Sequence, residues 1–492
     1  MNLRFISIER LRKRPVCCLS EQRMVFSSNA FLFFFLPAVV LLYWLVHKNR
    51  AAANTVLTVM SLLFYAWGEP KFVLVMLLSI ALNWLIALAI EKYSGQTKVK
   101  QALMISGVCI NVLILGVFKY ASFAIRNLNA LFKIDIVDPK IALPIGISFF
   151  TFQAMSYIID VYRGKGHAQK SFMGVCLYIS FFPQLIAGPI VRYETVAQQI
   201  TGRVETADDF AAGIRRFMVG FCKKAILANT LARLADYTFA LKASHLSVGL
   251  SWLGAAAYII QVYYDFSGYS DMAIGLGLMF GFHFPENFVL PFVSKSTTEF
   301  WRRWHISMGT WFRDYVFFPL GGSRVKSKAR LLFNMLVVWL LTGLWHGAEW
   351  TFVCWGFAYF VFQAVEKLTG LGKWMEKHFV GHLYTLAAVV IVSVLIRSPS
   401  IASAAQYYKV MFGFAGAPLS DQLNGFILKD YLWYLIPAAL CALPTGAFIK
   451  KKLKIGDGVW EILSAAALLI AMVIAVSNTV AGGYNPFIYY NF

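Results

Sequence analysis

Two histidines are the residues through which this sequence can be read for chemistry. His346 sits in Gly343-Leu344-Trp345-His346-Gly347, where an apolar run that starts near Asn334 ends and a second begins almost at once. The chain otherwise keeps ionisable groups out of its hydrophobic segments. A charged group at mid-membrane costs about 2.5 kcal/mol or more, and an imidazole reduces that cost by staying neutral. A neutral ring with a pKa near ambient pH can take a proton from a hydroxyl and later release it. On helical spacing, Trp339, Thr342 and Gly343 lie behind His346 on one face. Thr342 is then placed to hydrogen-bond the ring and set its tautomer. Gly343 and Gly347 would leave room for a substrate, with Trp345 lining it. The alternative is a histidine satisfied by a carbonyl at a helix terminus.

The second histidine, His305, lies in Glu299 to Arg324, EFWRRWHISMGTWFRDYVFFPLGGSR. Phe300, Trp304, Met308, Trp311 and Tyr315 recur at helical intervals and predict one continuous helix. Glu299, Arg302, Arg303, His305, Arg313 and Asp314 place six ionisable groups within sixteen residues, which excludes a lipid-facing span. His305 would share its side with Trp301, Met308 and Phe312. In one reading the helix lies at the interface with its arginines on lipid headgroups. In the other, Arg302, Arg303, Trp304, Arg313 and Asp314 lie near a phosphate-bearing donor or along the passage to it, with His305 at the reacting centre.

These residues need a frame, and composition says which kind. The 492 residues are 59% hydrophobic and only 14% charged, with a mean hydropathy of +0.63. A soluble chain is typically about a quarter charged, so this is a polytopic membrane protein. The apolar runs predict an all-α domain over 24–492, with about eleven spanning helices and several short, tilted or re-entrant pieces. Pro144 and Gly146 interrupt one run, and Pro183, Gly188 and Pro189 a second. Such breaks survive at membrane depth only against protein or a cavity. Residues 208–228 form an amphipathic helix whose Arg215, Arg216, Lys223 and Lys224 mark a membrane surface.

Asp265 falls between apolar runs at 249–264 and 268–282, and Asp271 at the start of the second. With Ser267 and Asn334 they are candidates for a buried polar network or a helix cap. A metal site is disfavoured, since no further Asp, Glu or His is closely spaced with them. Gly277 and Gly281 make a GxxxG, the pattern of close helix packing. Seven cysteines lack metal or disulfide spacing. The net charge of +21 suits anionic lipid headgroups. Nucleic acid is a poor partner, because no basic stretch stands apart from the hydrophobic segments.

Residues 1–23 carry six basic against two acidic side chains and no signal-peptide core. The loop His47-Lys48-Asn49-Arg50 prefers the cytoplasm, which puts the start of the first helix outside. A basic tail at that outer end conflicts with the rule, and a start at Met24 removes the conflict.

The chain resembles the membrane-bound O-acyltransferase (MBOAT) family, in its bacterial branch of alginate O-acetyltransferase-like proteins. The resemblance rests on Met24-Val25-Phe26-Ser27-Ser28, Tyr264 to Asp271, Phe300 to Arg324, Leu344 to Ala348, and Asn485 to Tyr490. It implies a ring of helices enclosing a tunnel. The family's invariant histidine corresponds to His346 and its more variable site histidine to His305. The implied activity is O-acetylation of an extracytoplasmic polysaccharide, such as alginate or a related exopolymer, from the bacterial inner membrane. Acetyl-CoA is the implied cytosolic co-substrate, with no bound cofactor and no metal. An extracytoplasmic serine-type acetyltransferase is the implied partner protein. The chemistry admits direct transfer or an acetyl-histidine intermediate. A competing class is a transporter or flippase with His346 as a proton relay. Transporters often show matched breaks in two halves, whereas these breaks fall in one.

Overall fold

A bilayer offers an apolar segment one low-energy backbone state, a helix that satisfies its own amides. The structure, a computed structural model, describes residues 24–486, and its regular elements are all helices. An isolated antiparallel bridge between Phe288 and Trp304 is the one strand-like pairing among the described residues. Residues 1–23, with the basic tail, and Phe487 to Phe492, with most of the closing motif, lie outside that range.

Six helices among the described residues are long and apolar enough to cross a membrane: Arg50–Gly68, Phe72–Lys92, Thr97–Phe132, Lys328–His346, Val380–Arg397 and Asp457–Val480. A seventh is added if Gln422–Cys441 and Thr445–Lys452, bent by 74°, count as one span. By length and composition this is fewer than the eleven or so expected. Several apolar runs that hydropathy alone counts as spans are short pieces enclosed by protein. Ile147–Arg163 has 17 residues, nearly all buried, and Phe172–Ser180 only nine. The chain is thus an all-α, multi-pass membrane protein built of lipid-facing helices around shorter enclosed ones.

The two breaks expected from proline and glycine lie against each other. Gly146, at φ +72°, starts the helix Ile147–Arg163, and a Cβ there would stand 2.7 Å from the Leu185 carbonyl in the second break. Tyr65 donates its hydroxyl to the Ile145 carbonyl at 3.1 Å. Non-helical backbone is therefore met by protein, as membrane depth requires.

Three expectations change in the centre of the chain. First, Val248–Met279 is one uninterrupted helix of 32 residues, so Asp265 and Asp271 lie within it and cap nothing. Second, the cations of 208–228 face that helix more than a membrane surface. Lys224 pairs with Asp265 at 2.6 Å, and Asp271 is held by Arg216 at 2.7 Å and Lys223 at 2.6 Å. Arg215 alone of the four is exposed, on Ser464. Paired acids no longer oppose continuation of an apolar helix, which is why the helix runs on through both of them. Third, the seam between Ala207–Cys222 and Val248–Met279 uses other glycines than the GxxxG. A Cβ on Gly213 would meet the Gly275 carbonyl at 2.6 Å, and Gly220 approaches Gly268 in the same way. Gly277 faces the Phe284 ring instead, and Gly281 ends the helix at φ +77°.

Candidate active site

His346 is the last residue of the helix Lys328–His346, which Ser327 caps by accepting the Arg330 amide at 3.1 Å. The chain turns extended at Gly347 and re-enters as Trp350–Thr369. The end of an α-helix leaves four carbonyls without partners, and burying them unpaired is costly. Here Gly347 N–H takes the Gly343 carbonyl at 3.2 Å. The Tyr120 hydroxyl donates to the Leu344 carbonyl at 2.7 Å, and the Lys119 ammonium donates to the Trp345 carbonyl. Lys119 also donates to Ser148 Oγ at 2.9 Å and is itself buried.

Lys119 corrects the expectation that the hydrophobic segments are free of ionisable groups. It lies in a π-helical turn, Gly116–Tyr120, within the apolar span Thr97–Phe132. Such turns are frequent at functional sites. A lone lysine just past the apolar run 102–118 was the available signal, and nothing local says which carbonyl it reaches.

Around His346 the walls are aromatic. The Trp355 ring lies edge-on at 4.8 Å between centroids, Trp345 at 5.0 Å and His305 at 6.4 Å. His346 is 6% exposed and His305 fully buried. Thr342 does not orient the ring, because its hydroxyl donates to the Val338 carbonyl of its own helix at 2.8 Å. Nor do the two glycines leave an open space. A Cβ on Gly343 would meet the Phe352 carbonyl at 2.5 Å, and one on Gly347 would run into the Phe352 ring. Their role is to let the returning helix close against the histidine.

His305 is positioned by a break, where the aromatic spacing predicted continuity. The segment consists of helices Thr297–Arg303 and Ile306–Phe312, then a π turn Arg313–Phe317. His305 stands between the first two in the left-handed region, at φ 47° and ψ 50°. A residue with a Cβ pays about 1–2 kcal/mol for that conformation, so the surroundings must enforce it. Two remote groups do so. The buried Glu366 carboxylate accepts from the amides of Thr297 and Thr298 at 2.7 and 3.0 Å and from their hydroxyls at 2.8 and 2.6 Å. On the other side of the break, Asn287 to Val289 run antiparallel to it. Val289 N–H donates to the Arg303 carbonyl at 2.9 Å, and Ile306 N–H to the Asn287 carbonyl at 3.0 Å.

The Asn287 side chain completes the hold. Its Oδ1 lies 3.1 Å from His305 Nδ1 and accepts from Ser307 Oγ at 2.9 Å and Ser307 N–H at 3.3 Å. Its Nδ2 donates to Ser270 Oγ at 2.9 Å, tying the break to the long central helix. Asn287, Glu366 and Lys119 are absent from the residues the sequence singles out.

Of those it does single out, the structure brings His305, Trp345 and His346 together. Trp304 packs in a separate aromatic group, 5.2 Å from Phe300 and 6.0 Å from Tyr263. Arg302 is exposed and Arg303 pairs with Glu299 at 2.9 Å. Arg313 pairs with Asp314, which is also held by Arg192. Two open clefts lie beside this basic surface. One, of about 520 Å³, is lined by Arg163, Lys165, Asp314, Phe318 and Pro319; the other, of about 390 Å³, includes Lys295, Glu299 and Arg302. Asn334 is buried but serves a turn, donating to the Gly322 carbonyl at 3.1 Å, and is not paired with Asp265 or Asp271. Among the described residues no three His, Cys, Asp or Glu side chains converge as a metal site.

Two buried imidazoles 6.4 Å apart, with aromatic walls and the Lys119 side chain beyond Trp345, suit proton transfer at a carbonyl that changes partners. Comparison with known proteins places that chemistry. The model of the MBOAT, membrane-bound O-acyltransferase family matches residues 61–396. A protein of Pseudomonas putida named "Probable alginate O-acetylase AlgI" is 39% identical over 95% of this chain and all of its own length. One of the same name from Pseudomonas aeruginosa is 43% identical over 81% of this chain and 76% of its own. The "Peptidoglycan O-acetyltransferase" of Helicobacter pylori is 33% identical over 80% and 81%. The family span takes in both histidines, the break and the Lys119 turn, and the chain belongs to the membrane-bound O-acyltransferase family, as an O-acyltransferase of its alginate O-acetylase branch.

Proposed function

We propose that this protein transfers acetyl groups from cytosolic acetyl-CoA toward an extracytoplasmic polysaccharide, alginate or a related exopolymer, in the bacterial inner membrane. The observation that carries the reading is the buried His346 at a helix end whose carbonyls Lys119 and Tyr120 clamp, with a second imidazole 6.4 Å away. Coenzyme A is too polyanionic to cross a bilayer, so donor and acceptor must meet inside the protein, through a passage between the helices. His346 takes the proton of the attacking hydroxyl while its oxygen bonds to the thioester carbonyl. The C–S bond then breaks, and the thiolate leaves with that proton. A general base in this position typically contributes 10²–10⁴-fold. The acceptor hydroxyl belongs to the glycan or to an extracytoplasmic serine-type acetyltransferase that passes the group on. The basic cleft by Arg163 and Lys165 and the exposed Arg302 are the surfaces suited to the donor's phosphates.

The test is release of free coenzyme A from acetyl-CoA by the purified protein, with and without that partner and glycan. Release that depends on His346 supports the reading. A fully active enzyme that ignores acetyl-CoA and accepts another thioester removes the donor while leaving the acyl transfer.

A further inference from the structure

His305 has two ring nitrogens, and their surroundings differ. Nδ1 faces Asn287 Oδ1 at 3.1 Å, whereas Nε2 is buried with no hydrogen-bond partner among the described residues. Which nitrogen carries the proton follows from the amide. The Asn287 atom facing His305 also faces the Ser307 backbone N–H, which can only donate, so that atom is the carbonyl oxygen. Ser307 Oγ accepts from the Ile190 N–H at 2.9 Å and is left with its own hydrogen to give to the same oxygen. The opposite end of the amide donates to Ser270 Oγ. An oxygen with only lone pairs to offer requires a hydrogen on Nδ1. A neutral His305 then carries its lone pair on Nε2, on the ring whose flanks are Trp345 and His346.

We propose that Asn287 is a positioning residue for the acyl transfer: it fixes His305 with its proton on Nδ1, so that Nε2 meets the bound substrates as a hydrogen-bond acceptor, beside the His346 that takes the attacking hydroxyl's proton, and does not donate to the oxyanion. The proposal rests on the acyl-transfer reading of the site and gives its two histidines one polarity. Both receive hydrogen, and the oxyanion must be met by another donor. Among the described residues, the titratable or charged groups on neighbouring elements are few. His346 lies at the flank, and Lys119 stands beyond the Trp345 ring. Asp271, next to Ser270, is matched by Arg216 and Lys223, and Arg303 by Glu299, while Arg302 is exposed. None of them stands between Asn287 and Nδ1.

The experiment is nitrogen-15 solid-state NMR of the full-length protein, labelled at histidine and held in lipid bilayers above pH 8. The His305 signals are identified by their loss in His305→Asn. A protonated Nδ1 and bare Nε2 in the wild type are expected, with the preference kept in Asn287→Asp and lost in Asn287→Leu. A wild-type His305 protonated at Nε2 overturns the proposal, whether or not any variant folds. This arm reads no acyl transfer, so it stands or falls separately from the proposed reaction. The second readout is the pH profile of acetylation in Asn287→Asp. A carboxylate on Nδ1–H favours the imidazolium, which has no lone pair, so the acidic limb should move up by about one pH unit or more. An unmoved limb in an active Asn287→Asp enzyme also overturns the proposal, since a merely structural asparagine would leave the profile in place.

Discussion

The two histidines share one enclosed space and are held by opposite means. His346 is placed by regular structure carried to its limit, a membrane helix whose last carbonyls are taken by Tyr120 and Lys119 of another span. His305 is placed by regular structure interrupted, in a left-handed residue that Glu366 and Asn287 hold from both sides. The first arrangement fixes where a helix ends; the second fixes which way one ring is turned and which nitrogen is bare. A residue at a helix end whose carbonyls are held by other groups leaves the backbone in place when its side chain is truncated. One at an enforced break depends on every group that enforces it. The contrast therefore predicts different penalties at the two histidines and among their supports.

The largest effect should come from His346→Ala, which is expected to insert normally and to reduce polymer acetylation to background. His346→Gln should not rescue it, since an amide keeps shape and hydrogen bonding but takes up no proton. Acetate released from polymer made by a strain carrying only the variant measures this. Wild-type acetate from His346→Gln would leave His305 as the sole base and collapse the distinction between them.

His305→Ala should cost less, toward the lower end of the roughly 10²–10⁴-fold range of general acid–base groups, because water can partly replace a hydrogen-bond acceptor. Its effect should vary between acceptors more than that of His346→Ala. Initial rates over a range of acetyl-CoA concentrations check this, and a full rate throughout would remove the broken segment from the mechanism.

The clamp comes next. Lys119→Met leaves the Trp345 carbonyl buried without its donor, at a cost of about 1–3 kcal/mol, and should lower kcat about tenfold or more with KM for the donor unchanged. Tyr120→Phe removes a neutral hydrogen bond worth about 1 kcal/mol and should cost about fivefold. If both variants behave as wild type, the helix end is held by packing alone.

Arg302→Ala should give the smallest change, confined to donor KM or membrane seating and less than about threefold in kcat, since exposed charges contribute about 0–1 kcal/mol. A steady-state series in acetyl-CoA distinguishes it from a change at the histidines. A kcat loss as large as that of His305→Ala would put the exposed arginines at the reacting centre.

The helical stripe through Phe300, Trp304, Met308, Trp311 and Tyr315 shows why the break was hidden. Its apolar spacing suits one helix as well as two short ones in sequence. The groups that force the interruption are Glu366, 69 residues away from Thr297, and Asn287, 18 residues from His305. The acids of Tyr264 to Asp271 misled in the other direction. Two carboxylates in an apolar run allow a helix cap as well as a polar network, and only the fold brings Lys224, Arg216 and Lys223 to meet them within a continuous helix.

What the amino-acid sequence determined by itself is what hydropathy and motif decide locally: a multi-pass, all-α membrane protein, an O-acyltransferase family, and His346 at the end of a helix. Each depends on residues within a few turns of one another, where burial in lipid and backbone hydrogen bonding leave one solution. Tertiary structure alone decided that His305 sits in a break and lies 6.4 Å from His346. It also decided that the basic face of 208–228 turns inward, and that Lys119 reaches a carbonyl 226 residues away. In a low-dielectric interior a buried charge or amide must find its partner wherever the fold supplies one, and no local pattern records which partner that will be.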